Sequence, residues 1–95
     1  MLNIAPIYEI CRMNTLIVAA TELEIAGFGV RNPAVPVFIH GVGAAHAVFA
    51  LTRKLAAGGY QRVIQAGLAG SFTPELELGE VVAVKQDRFA DLGVL

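Results

Sequence analysis

The chain has 95 residues, of which 56% are hydrophobic and 16% charged, with a formal net charge of −1. That length holds one small domain, and the charge balance excludes a nucleic-acid binder, because no basic cluster exists to track a phosphate backbone. The single cysteine, Cys11, excludes a disulfide framework and a cysteine metal site, and it suits a reducing, cytoplasmic compartment.

So apolar a composition needs cover that a short chain cannot give itself, since small domains have much surface for their volume. Such a chain either buries its apolar faces against a partner, with a homo-oligomer expected, or has lost part of its own domain. No run reaches the ~20 apolar residues of a membrane span, so no membrane partner is expected. Met1–Met13 lacks a basic start and Glu9 interrupts its apolar run, which argues against a secretory signal. Residues 1–13 read as a leader or mis-assigned start ahead of one domain over 14–95.

Thr15–Ala20 (TLIVAA) is a continuous β-branched run, the pattern of a strand buried on both faces of a parallel sheet. Thr21 and Glu24 follow with the spacing of a capping box, Thr21 as N-cap and Glu24 at N3. Glycines and prolines break up the next stretch, so Ala26–Ala34 reads as loop. Val35–Ile39 is a second strand, with Pro36 near its start. Gly41-Val42-Gly43 then turns the chain into a helix over Ala44–Ala57. Its apolar stripe, Ala44, Val48, Leu51 and Leu55, is expected to face the sheet. His46 falls on the opposite, exposed side, while His40 at a strand end reads as a packed, hydrogen-bonded histidine.

Gln61–Ala66 is a third strand, and strand–helix–strand order favours parallel pairing. It runs into Val63–Gly70 (VIQAGLAG), where Gly67 and Gly70 let a ligand approach the main chain. Ser71–Leu78 is a loop, and Glu80–Lys85 (EVVAVK) reads as a fourth strand. The fold class is α/β, with a mostly parallel central sheet flanked by helices.

Several site types are excluded. Gly41-Val42-Gly43 has no third glycine of a dinucleotide fingerprint, no acid ends Gln61–Ala66, and the Lys-Ser/Thr of a P-loop is missing. No Ser or Cys has a base at motif spacing, and His40 and His46 lack zinc spacing. No cofactor and no metal are expected. What remains is Glu24 at the end of the first strand and two glycine turns. They suit a neutral, hydroxyl-rich ligand held mainly by backbone groups, beside a carboxylate that positions or deprotonates water.

Four segments, Ala19-Ala20-Thr21-Glu22-Leu23-Glu24, Gly41-Val42-Gly43-Ala44-Ala45, Gln65-Ala66-Gly67-Leu68-Ala69-Gly70-Ser71-Phe72 and Leu78-Gly79-Glu80-Val81-Val82, stand in an order that resembles the nucleoside phosphorylase/nucleosidase superfamily. Phe72 and Arg88-Phe89-Ala90-Asp91-Leu92-Gly93 are most similar to its futalosine hydrolases, nucleosidases of menaquinone synthesis. The resemblance implies a phosphorylase/hydrolase-like fold and a small nucleoside substrate. It implies that Glu24 binds the nucleophilic water and that Thr21, Leu68, Ala69 and Gly70 line the ribose and base pocket. Phosphorylases carry an Arg and a Ser where this chain has Gln65 and Leu68, which points to water rather than phosphate. The same resemblance assigns the ribose-binding glutamate and base-protonating aspartate to a segment later than Leu95, so the chain reads as the first part of a nucleosidase, inactive alone. Alternatives are a methylthioadenosine/S-adenosylhomocysteine nucleosidase, or a non-catalytic folded fragment.

Overall fold

The computed structural model describes residues 14–88. The leader at 1–13 and most of the Arg88–Gly93 run lie outside them. In chain order the elements are β1 (Thr15–Ala19), α1 (Ala26–Arg31), β2 (Val37–Ile39), α2 (Ala44–Ala56) and β3 (Arg62–Gln65). The three strands form one parallel sheet in the order β2-β1-β3.

β1 lies at the centre because its sequence can be buried on both faces. All five of its residues are buried, Leu16 and Ala19 completely. The register pairs Ile17 with Val37 and with Ile64, and Val18 with Phe38 and with Gln65. Paired residues of parallel strands share a face, so Ile17, Val37 and Ile64 form one face, and Val18, Phe38 and Gln65 the other. From β1 the chain steps to one neighbour, and from β2 it steps back across β1 to the other. Right-handed connections in opposite directions place their helices on opposite faces. The contacts agree. Ile25 and Phe28 of the first connection pack on Ile17 and Val35, while the Lys54 ammonium of α2 sits 5.5 Å from the Phe38 ring and 5.8 Å from the Tyr60 ring.

Three local expectations need correction. The stretch expected as loop contains α1, despite Gly27 and Gly29. Ile25 and Phe28, three residues apart, share a helical face and dock in the core, which outweighs the glycines' low helix propensity. Asn32 closes the helix, its main-chain and side-chain N–H groups both donating to Phe28 O. The second correction concerns α2. The less exposed positions are Ala47, Ala50, Leu51 and Lys54, while Val48 and Phe49 stay mostly exposed. The helix is rotated from the expected stripe, and the Lys54 ammonium on its less exposed side stands over two aromatic rings. Third, Glu80–Lys85 forms no strand and is exposed. A strand exists only where its backbone finds a partner, and this segment pairs with none of the described strands. Among the described residues, no helix is long and apolar enough to cross a membrane.

Candidate active site

All three strands run in one direction, so their carboxyl ends form one edge. The chain leaves this edge at Ala20–Ile25, His40–Gly43 and Ala66–Gly70. Chain order reverses across β1: the next strand lies on one side, the third on the other. The gap between the exits of β1 and β3 is therefore the topological switch point, where open α/β sheets bind ligands.

Glu24 occupies that gap. Its Oε2 accepts hydrogen bonds from Thr21 N–H at 3.1 Å and from the Thr21 hydroxyl at 3.0 Å. Its Oε1 accepts from Leu68 N–H at 3.3 Å, across the switch point. One carboxylate thus ties the loop after β1 to the turn after β3. These donors favour the charged form, Leu68 N–H most, then the Thr21 hydroxyl. Partial desolvation opposes them, and Thr21 N–H and the nearby His40 add to the lowering, so the carboxyl is held below its ordinary value. The group is anionic and held in a fixed direction.

Only half of the expected capping box forms. Glu24 reaches back to Thr21 N–H, but the Thr21 hydroxyl donates to the carboxylate instead of capping the helix. The helix starts later, at Ala26 with Ile25 as N-cap and no side-chain cap. The loop after β1 is thereby shaped around the carboxylate.

His40 is buried, and its main-chain N–H continues the sheet by donating to Ala19 O at 3.0 Å. Its ring Nδ1 lies 2.8 Å from Gly41 O, and Nε2 lies 2.9 Å from the Gln65 amide. His46 is exposed, and its ring folds over Gly41, which has φ +87°.

The geometry gathers Thr21, Glu24 and Leu68. Ala69 and Gly70 follow on the same turn, exposed, with no hydrogen bond to Glu24 among the described residues. Gly67 places its α-carbon beside Glu24 Oε1, where a Cβ would meet it at an ordinary 3.5 Å, and Gly70 has open space around it. Neither has positive φ. Their backbone is thus open to a ligand without being strained. Sequence reasoning missed the bridge from His40 to Gln65. No local pattern marks it, since the two residues meet only when β2 and β3 flank β1. Among the described residues no cluster of His, Cys, Asp or Glu could hold a metal ion.

A parallel α/β sheet with an oriented carboxylate facing a backbone N–H at its switch point places these groups where open α/β sheets bind small ligands. Residues 18–93 match the family model described as Phosphorylase superfamily, and the chain belongs to that superfamily. Its nucleoside phosphorylases and nucleosidases make the chain, in general type, a nucleoside-processing enzyme. Comparison with curated proteins gave no match, and comparison with solved structures gave none.

Proposed function

We propose that the chain carries the water-aligning part of a nucleosidase, with futalosine as substrate and hypoxanthine as the released base. The observation that carries this reading is the Glu24 carboxylate, ionised and aimed at the switch point by Thr21 and Leu68. Cleavage of an N-glycosidic bond passes through an oxocarbenium-like state. An anion beside the anomeric carbon stabilises that charge and accepts a proton from the attacking water. Thr21 and the Leu68-Ala69-Gly70 backbone line the ribose and base.

The choice of water over phosphate rests on the turn after β3. Gln65 is engaged with His40, and Leu68 offers an exposed alkyl side chain. Neither supplies the cationic fork that an anionic co-substrate needs. The choice of futalosine rests on the resemblance carried by Phe72 and the Arg88–Gly93 run.

The test is product analysis with futalosine, methylthioadenosine and inosine, with and without phosphate. It is run on the chain and on the chain extended by the later superfamily segment that carries a ribose-binding glutamate and a base-protonating aspartate. The expected result in the extended chain is hypoxanthine and a free sugar hemiacetal, at a rate independent of phosphate. Glu24→Gln there lowers turnover by ~10²-fold or more. A sugar 1-phosphate product overturns the hydrolytic reading, and base release from methylthioadenosine alone overturns the choice of futalosine.

A further inference from the structure

β2 and β3 flank β1 and never touch each other through the backbone ladder. Their last hydrogen bonds to β1 are His40 N–H to Ala19 O and Ala66 N–H to Val18 O, at 3.0 and 2.9 Å. Beyond these bonds, the two turns that frame the site leave the sheet without further ladder support. A side-chain bridge nevertheless spans the central strand at this height. His40 and Gln65 meet at 2.9 Å over the face of β1 that carries Val18.

We propose that His40 and Gln65 are positioning residues, a latch across β1 that sets the height of the turn after β3 so that Leu68 N–H meets the Glu24 carboxylate. The inference rests on the reading of Glu24 as the water-aligning group.

The chemistry of the pair suits this task. Gly41 O can only accept, so His40 Nδ1 carries a proton and donates to it. The other ring nitrogen faces a primary amide, which has a donor end and an acceptor end. Gln65 can therefore bond Nε2 whether that atom bears a proton or not, by presenting its oxygen or its NH₂. The two ends of the latch differ in reach. At the β2 end the ring holds the Gly41 carbonyl, and the His46 ring lies against the Gly41 α-carbon. At the β3 end the Gln65 NH₂ also approaches Ala66 O at 3.4 Å, and Ala66 leads directly into Gly67 and Leu68. The groups facing Glu24 are Thr21, the Leu68 N–H and the His40 charge. Of these, the Leu68 N–H belongs to the β3 turn itself, so its exchange reads the turn apart from the His40 charge.

The test uses NMR on the isotope-labelled chain without substrate, so it does not depend on turnover. In the unaltered protein, the His40 Nδ1–H is protected from exchange, and His40 ring protons show cross-relaxation to the Gln65 side-chain amide. Gln65→Leu removes the latch without introducing a charged side chain. In that variant the Glu24 carboxyl titrates at a higher midpoint, nearer its ordinary value of about 4.3. Leu68 amide exchange quickens about fivefold or more, the equivalent of one lost hydrogen bond. A folded Gln65→Leu chain with unchanged Leu68 amide exchange overturns the proposal, whether or not the Glu24 titration moves. So does the absence of His40–Gln65 cross-relaxation in the unaltered chain, a result that decides the matter even where the variant does not fold. Failure of the nucleosidase reading shows separately, as missing hydrolysis with these NMR signatures intact.

Discussion

Gly41→Ala tests the turn after β2 and separates two effects that usually come together. Gly41 has φ +87°, and a Cβ there would stand 3.0 Å from both Cε1 and Nδ1 of His46. For a residue with a Cβ, a left-handed backbone costs about 1–2 kcal/mol. The contact with His46 adds a term, but the ring belongs to an exposed side chain that can swing aside, at an off-rotamer cost of about 0.5–1.5 kcal/mol. Reduced freedom of the unfolded chain offsets about 0.4–1 kcal/mol of this. The net expectation is a loss of about 0.5–3 kcal/mol, combining these backbone and contact estimates. Gly43 supplies the comparison, with φ +96°, ψ 143° and nothing within 4 Å of where a Cβ would stand. Gly43→Ala is expected to cost about 1–3 kcal/mol from backbone alone, in a region nearly restricted to glycine. The assay is urea unfolding followed by circular dichroism. With a slope of about 1 kcal/mol per molar, a loss of about 1.5 kcal/mol lowers the midpoint by about 1.5 M. Adding His46→Ala to Gly41→Ala should recover only the contact part, and adding it to Gly43→Ala should recover nothing. Full recovery in the Gly41 double variant, or a neutral Gly41→Ala, refutes the assignment of the cost to the backbone.

Thr15 is buried, and its hydroxyl has no hydrogen-bond partner among the described residues. Thr15→Val is therefore expected to be neutral or stabilising, by up to about 1 kcal/mol, read from the same urea midpoint. Because the folded-state pKa of Glu24 is lowered, its contribution to stability is fully present above the unfolded value of about 4.3 and is lost as pH falls through the lower folded value. Thermal melts from pH 6 down to pH 3 should show this acid loss diminished in Glu24→Gln. Val48, Phe49, Phe72 and Leu78 expose large apolar surfaces, Phe72 and Leu78 completely. Light scattering should report a mass above the 10.0 kDa of one chain, and Phe49→Ser with Phe72→Ser should lower it; a monomer at all concentrations would count against self-association.

The regular elements are largely legible in the sequence because each satisfies one local rule. TLIVA can be buried on both faces, and the structure buries it as the central strand. The glycine turn and terminal cations that predict Ala44–Ala57 bound a helix observed over Ala44–Ala56. What fails depends on neighbours. The helix at Ala26–Arg31 exists because the Ile17–Val35 core receives Ile25 and Phe28, and no window over those residues reveals that docking. EVVAVK has strand composition but finds no described partner. Glu24 stands out by its place at a strand end, and its bond to Leu68 links residues far apart in sequence. The His40–Gln65 bridge needs the strand order itself, which composition and periodicity do not encode.

The placement of β1 between later strands has a consequence for synthesis. Ile17 pairs with Val37 and Leu16 with Val63, so of the three described strands the most apolar is made first and completed last. At translation rates of roughly 5–20 residues per second, β1 waits some seconds for its second neighbour. During that time one of its edges is open, and non-local parallel pairing is slow even once both strands are available. The nascent β1–β2 pair is thus the stretch on which a holding chaperone would act, and slowing translation between Ala44 and Gln61 should lengthen its exposure.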